Sequence, residues 1–260
     1  MEIFDIHWHT KTRDCEDLIE YAQKLNIKKA CLLGDVLKYG YNPNKEQIRE
    51  INDQTMNLVV DYPSFFLGFC HLNPRNPRKF MEEEVERCIL KGKLRGVKLE
   101  ASTFASDKRV FFIADICQSL NIPILLHCWN TLSLGRNPVA NCYQTDPEDV
   151  VILSKNFPKL KIIVAHLRGI DIRGIIEIKS YENIYIDTSG AQPICGIIEF
   201  AVKKIGSERI LFGSDVYFPK GRDIPVQLMA VLSSKIKERE KENILFKNAM
   251  RILGYEGIWI

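Results

Sequence analysis

The chain has 260 residues, 46% hydrophobic and 27% charged, which suits a folded protein with a substantial core and excludes a disordered one. Its 36 basic and 33 acidic residues leave a formal net charge of +3 and are interspersed, so no broad field points to nucleic acid or a membrane surface. The eight cysteines (Cys15, Cys31, Cys70, Cys88, Cys117, Cys128, Cys142 and Cys195) form no Cys-x-x-Cys pair and sit mostly in apolar runs. Reduced core thiols therefore fit better than a disulfide framework, and with no basic, apolar leader at residues 1–5 a cytoplasmic protein is expected.

Eight short apolar runs read as strands: residues 3–6, 29–33, 65–70, 96–99, 122–126, 161–165, 184–186 and 210–212. Several are apolar on consecutive residues, as in Ile122-Pro123-Ile124-Leu125-Leu126, which suits parallel strands covered on both faces. Helical periods lie between them. Asp14 reads as an N-cap ahead of Cys15, Leu18, Ile19, Ala22 and Leu25, which share one helical face. Val110, Ile113, Ala114, Cys117 and Leu120 repeat the pattern. Asp146-Pro147-Glu148-Asp149 combines a capping residue, a proline at the first position and an acidic first turn, and its helix turns Val150, Leu153, Ser154 and Phe157 to one stripe. Gly92 and Gly254 read as helix stops, and residues 235–241 alternate in sign as a solvated helix face does. No linker interrupts the series. A strand followed by a helix, eight times over, predicts an α/β fold: a single (β/α)8 TIM barrel spanning residues 1–260. A doubly wound open sheet is the alternative, but neither a Gly-x-Gly-x-x-Gly turn nor a Walker loop is present.

All five histidines fall at or just beyond expected strand C-termini: His7 and His9 after the first, His71 after the third, His127 after the fifth and His166 after the sixth. In a barrel those ends converge on one rim, where catalytic groups are mounted. Side chains alternate along a strand, so His7 and His9 point to one side and Trp8 to the other. Two imidazoles so placed can share one metal ion, and His127, His166 and Asp215 are positioned to add further ligands. Alone, each reads as an ordinary hydrogen-bonded residue; the combination points to metal. Asp215 can both touch an ion and accept a proton from its bound water. Its competing role, capping the next helix, is weakened by Pro219 and Gly221, which suggest an intervening loop. Asp187, ending the seventh strand, reads as structural support. Lys98 allows two readings: a carbamylated bridge between two metals, or, favoured here, a substrate-anion contact or an ion pair with Glu100.

These residues carry a resemblance to the amidohydrolase superfamily, within its amidohydrolase-related branch of aminocarboxymuconate-semialdehyde decarboxylase, dihydroxybenzoate decarboxylases and pyrone-dicarboxylate lactonase. It runs through Asp5-Ile6-His7-Trp8-His9, Gly96-Val97-Lys98-Leu99, Ile124-Leu125-Leu126-His127, Ile162-Ile163-Val164-Ala165-His166 and Ile210-Leu211-Phe212-Gly213-Ser214-Asp215, with Asn248 and Ala249 in the family's closing helix. The resemblance implies one divalent ion, zinc, on His7, His9, His127 and Asp215. It makes His166 the base or proton shuttle, or an additional ligand, beside a catalytic Asp215. Arg168, where the family pattern is commonly glycine-rich, and His71 depart from it. The expected reaction is hydrolysis of a C–N or C–O bond of a small carboxylated molecule by metal-activated water. Non-oxidative decarboxylation on the same ligands is the alternative, and a non-catalytic metal-binding barrel the remote one. Lys98, Arg136 and Arg168 are candidates for holding the substrate anion. The expected partner is a small molecule, with neither nucleic acid nor membrane; a homo-oligomer is compatible with the sequence. A TatD-type nuclease is disfavoured by the lack of a basic groove signature and by the Gly213-Ser214-Asp215 ending.

Overall fold

The computed structural model describes residues 1–10, 15–131, 142–190, 194–218 and 224–255. Its strands are β1 (Ile3–Thr10), β2 (Ile27–Leu32), β3 (Phe66–Gly68), β4 (Cys70–Leu72), β5 (Val97–Leu99), β6 (Ile124–Leu126), β7 (Ile162–Val164), β8 (Ile184–Asp187), β9 (Ile210–Leu211) and β10 (Val216–Phe218). Helices α1 (Glu16–Lys24), α2 (Lys45–Asp61), α3 (Arg78–Val85), α4 (Lys108–Ser119), α5 (Pro147–Asn156), α6 (Leu167–Ile178), α7 (Ile197–Ile205), α8 (Ile224–Leu232), α9 (Glu238–Glu242) and α10 (Asn248–Ile252) alternate with them.

The strands pair in parallel in two runs, β10-β1-β2-β3 and β4-β5-β6-β7-β8-β9. These runs are one closed surface, because β3 and β4 are halves of the third barrel strand and β9 and β10 halves of the eighth. At the first junction Phe69 N donates to Leu32 O and Cys70 N to Gly96 O, both at 2.8 Å, so pairing passes from β2 to β5 within two residues. At the second, Ile6 N donates to Phe212 O (2.9 Å) and Asp215 N to His7 O (2.8 Å). The (β/α)8 barrel expected from the eight runs is the observed fold: the first strand pairs with the last as well as with the second, which closes the sheet and rules out an open one. Strand ends differ from expectation: His7 and His9 lie inside β1, and His71 inside β4.

Helix signals behave as their chemistry predicts. The Asp146 side chain accepts from Glu148 N, and Asp149 accepts from Asp146 N, behind Pro147. Leu18, Ile19 and Ala22 of α1 are buried, as are Val110, Ile113, Ala114 and Cys117 of α4. Helix α1 starts behind Cys15, and Asp14 lies outside the described residues. The charged α9 buries nothing. All eight cysteines are free thiols, six of them buried. Among the described residues no helix is long and apolar enough to cross a membrane.

Alternate strand residues divide between two cores. Ile3, Trp8, Ala30, Leu32, Val97 and Leu126 face the helices, while Phe4, Ile6, Cys31, Leu33, Phe69, Leu125 and Leu211 fill the barrel, joined by Ala249 and Ile252 of α10. Strand β1 changes face midway. Asp5 stands opposite Ala30 and Trp8 opposite Leu32, so three steps on β1 match two on β2, the signature of a bulge. Strict alternation from Phe4 and Ile6 would turn His7 and His9 toward the helices. The extra residue turns both inward and sends Trp8 out against Phe65 and Phe66. Asp5 Oδ1 stabilises the irregularity by accepting from His7 N (3.1 Å) and Ser214 N (2.9 Å).

Candidate functional site

The bulge in β1 and the break between β9 and β10 bring three buried side chains together. His7 Nε2 lies 3.0 Å from His9 Nε2, and Asp215 Oδ1 lies 3.4 Å from the first and 3.8 Å from the second. The other ring nitrogens are spoken for. His9 Nδ1 donates to Gly34 O at 2.7 Å, and His7 Nδ1 donates to Asp187 Oδ2 at 2.7 Å. A carbonyl only accepts, so His9 carries its proton on Nδ1, and an ionised Asp187 imposes the same tautomer on His7. Burial pushes the Asp187 carboxyl up, but His7 and its hydrogen bonds outweigh this and hold it well below the usual carboxylate range. Two Nε2 lone pairs therefore face each other beside a carboxylate, an arrangement that repels itself until a positive charge sits among the three atoms. Burial pushes His7 down, yet Asp187 and Asp215 together raise it above the ordinary imidazole value, so the site draws positive charge to this point. Two imidazole nitrogens and one carboxylate oxygen, each steered by a hydrogen bond or backbone contact, fit a divalent ion.

A second group of three possible ligands, His7, His166 and Asp187, shares His7. In it Asp187 is already committed to His7 Nδ1, so the first group, with the Nε2 atoms of His7 and His9, is the better placed to hold an ion. His166 adopts a left-handed backbone (φ 73), as does Asp215 (φ 58), a conformation that needs support from its surroundings. Asp187 Oδ1 accepts from His166 N at 3.0 Å, and His7 O accepts from Asp215 N. His166 Nδ1 donates to Ser189 Oγ at 2.8 Å and stands 3.8 Å from Asp215 Oδ2, while its Nε2 faces His127 Nδ1 at 3.1 Å. Ser189 in turn donates to Asp187 Oδ1. Burial, reinforced by His127 and His7, holds His166 well below the ordinary imidazole value; burial lowers His9 and His127 as well. His127 belongs to neither group of three, but its Nδ1 lies 3.2 Å from Glu100 Oε1.

These side chains border a cavity of about 240 Å³, closed by Lys98, Glu100 and Trp129 and by Val36, Leu37, Tyr41 and Tyr217. Tyr217 stacks on His9 with ring centroids 4.3 Å apart, and Trp129 lies nearly parallel to His127 at 6.4 Å. Lys98, buried, places Nζ 3.0 Å from Glu100 Oε2, the expected ion pair. Arg168 is not on the cavity wall. It donates to Gln227 Oε1, and Gln227 donates to Gly190 O (3.1 Å), so it braces α6 against α8. Arg136 lies outside the described residues. Asp215 caps no helix, since β10 follows it directly. His71 is buried opposite Lys98, and burial pushes it down to about 4.

In the sequence Glu100 stands out only as a partner for Lys98, and nothing local links it to His127. The spacing carries a signal: Lys98 and Glu100 are two apart, so the pair shares a face wherever the chain is extended. Trp129 and Tyr41 come from loops and carried none.

The family profile described as amidohydrolase matches residues 41–255. The chain belongs to the amidohydrolase family. With the His7, His9 and Asp215 group, which lies partly outside the matched span, it is a metal-binding enzyme of the amidohydrolase-related superfamily. It is similar to the 2-amino-3-carboxymuconate-6-semialdehyde decarboxylase of Dictyostelium discoideum, 23% identical over 244 residues, which are 79% of this chain and 66% of that protein. The 2,6-dihydroxybenzoate decarboxylase of a Rhizobium superposes with a TM-score of 0.78 at 17% identity, covering 99% of this chain and 100% of that one. A dihydroxybenzoic acid decarboxylase of a Polaromonas, solved with manganese and the inhibitor 2-nitroresorcinol, gives 0.74 at 16% identity, covering 99% and 98%.

Proposed function

We propose that this amidohydrolase is a divalent-metal-dependent, non-oxidative decarboxylase of a small carboxylated molecule. The observation that carries the metal dependence is the facing pair His7 Nε2 and His9 Nε2, 3.0 Å apart beside Asp215 at the wall of a cavity. The choice of decarboxylation over the hydrolysis expected from sequence follows the relatives, since the Dictyostelium, Rhizobium and Polaromonas proteins are all named as decarboxylases.

In this reading His7, His9 and Asp215 hold the ion, and His127 is assigned as a fourth ligand by resemblance. Zinc suits the nitrogen-rich set, although manganese occupies the Polaromonas protein. When bound, the ion supplies a Lewis acid that orients the substrate carboxylate or an adjacent hydroxyl. The chain's own groups do the rest. Lys98 has three donor hydrogens, of which Glu100 engages one, leaving two for a substrate anion. His166 is neutral, with its Nδ1 proton on Ser189 and its Nε2 lone pair at the cavity. As the C–C bond breaks and carbon dioxide leaves, the carbon takes one proton that comes from solvent, and His166 is assigned to accept it on its Nε2 lone pair and pass it to the carbon, with the Asp215 carboxylate beside the ring. Trp129, Tyr41 and Leu37 border the cavity in which that step takes place.

A screen of small aromatic and unsaturated carboxylates in water enriched in oxygen-18 tests the reading. Release of carbon dioxide without label in the product is expected. Labelled product, with carbon dioxide retained, replaces decarboxylation by hydrolysis, for which Asp215 is equally well placed as the base.

A further inference from the structure

Each of the four site histidines has its Nδ1 within reach of its own acceptor: Asp187 for His7, Gly34 O for His9, Ser189 for His166, and Glu100 for His127. Three of these follow from a neighbouring strand end or a backbone carbonyl. The fourth is a carboxylate that is itself held. Glu100 extends from just beyond β5 with Oε1 3.2 Å from His127 Nδ1 and Oε2 3.0 Å from Lys98 Nζ. Both residues of the Lys98–Glu100 pair are over nine-tenths buried. Burying an ion pair gains little net stability over an apolar pair of the same shape, so the pair calls for another reason to exist.

We propose that Glu100, anchored by Lys98, is the positioning residue for His127: it fixes the His127 tautomer and turns the ring so that Nε2 serves the ion of the His7, His9 and Asp215 group. The tautomer follows from the acceptor, because an ionised carboxylate can only accept and His127 must then place its proton on Nδ1. The orientation follows from the anchor, because the Lys98 contact fixes the carboxylate plane from its other oxygen. His166 Nε2, 3.1 Å from the same Nδ1, can share that proton, so His127, like the other three rings, carries its proton on Nδ1 and keeps Nε2 as a lone pair. The inference rests on the metal reading above and extends it to two residues that the ligand motif does not include.

The test is cobalt binding to metal-stripped protein, read by chelator competition and by the visible absorption of the bound ion. Removing Glu100 alone strands a buried lysine, so the informative variants are charge-balanced. Lys98→Met/Glu100→Gln keeps an acceptor oxygen for His127, whereas Lys98→Met/Glu100→Leu removes it. Cobalt affinity is expected to fall only slightly for the Gln variant, which keeps the acceptor and loses the anchor, and by about 10- to 100-fold with a changed absorption band for the Leu variant, which loses both. Adding His127→Ala to the Leu variant is expected to cost little more, because both changes remove one ligand. Equal affinity in the Gln and Leu variants overturns the proposal, as does a His127→Ala protein that binds cobalt as the unaltered chain does. Failure of the unaltered protein to bind cobalt is a different result, which overturns the metal reading itself.

Discussion

His7 Nδ1 stands 2.7 Å from Asp187 Oδ2, and that one contact sets the tautomer, the ring plane and the direction of the Nε2 lone pair toward His9 and Asp215. Asp187 also accepts from His166 N and Ser189 N, so one carboxylate ties the first barrel strand to the turn that carries the sixth-strand histidine. Asp187→Asn presents an amide that can donate as well as accept, which loosens the control of the His7 tautomer. Bound metal after dialysis is expected to fall about 10- to 100-fold in affinity while circular dichroism stays that of the barrel. Unchanged affinity removes Asp187 from the site's design.

The ligands themselves are expected to behave more severely. His9→Ala and Asp215→Ala should each abolish stoichiometric metal in elemental analysis and reduce turnover to near background, because each removes one of three converging donors. Chelation of the unaltered protein should lower its melting temperature and restoring the ion should raise it, as a ligand that binds only the folded state stabilises it by about 2.7 kcal/mol at a hundredfold excess over Kd. A melting temperature indifferent to chelator and metal contradicts a structural stake for the ion.

Much of this was legible in the sequence, for identifiable reasons. Consecutive apolar runs such as Ile162-Ile163-Val164 mark strands covered on both faces, and Asp146-Pro147 marks a helix start, because both signals are local. His7, His9 and Asp215 were legible because strand ends converge in a barrel. The bulge in β1 was not: alternation correctly put His7 and His9 on one side, but which side depends on one extra residue, visible only in the pairing of β1 with β2. The His7 and Asp187 contact spans 180 positions and leaves no local pattern. Arg168, placed near the site by its position after His166, is drawn away from the cavity by Gln227 of α8.

The Lys98 and Glu100 pair has a pH signature. Burial pushes the Glu100 carboxyl up, but Lys98 and His127 outweigh it and bring it from 4.5 down to about 2. A carboxyl depressed in the folded state contributes stability that is fully present above its unfolded value and is lost as pH falls through the folded one. The urea midpoint of the unaltered protein is therefore expected to fall more steeply than that of Lys98→Met/Glu100→Gln as pH drops from about 4.5 toward 2. Parallel profiles contradict the assignment of the depressed carboxyl to Glu100.

Gly213 offers the most direct check on how tightly the two halves of the site are packed. A Cβ at this position meets His7 Cβ at 2.9 Å and both Asp187 Cβ and Cγ at 3.0 Å. The obstructing atoms sit at or next to the main chain, so no flexible side-chain end can move aside; His7 and Asp187 must shift or the strand must bend. Overpacking of this kind costs about 1–3 kcal/mol, which in a chain of this size is a modest fall in melting temperature. The effect on the metal should be the larger one. A displacement of a few tenths of an ångström at His7 disturbs both its bond to Asp187 and its approach to His9 and Asp215, whereas the rest of the barrel core is untouched. Gly213→Ala is thus expected to fold, to melt a few degrees lower, and to lose metal affinity out of proportion to that change. Measuring cobalt affinity and thermal unfolding on the same preparation separates the two effects, and a variant that loses stability but binds cobalt unchanged shows that the site tolerates the displacement.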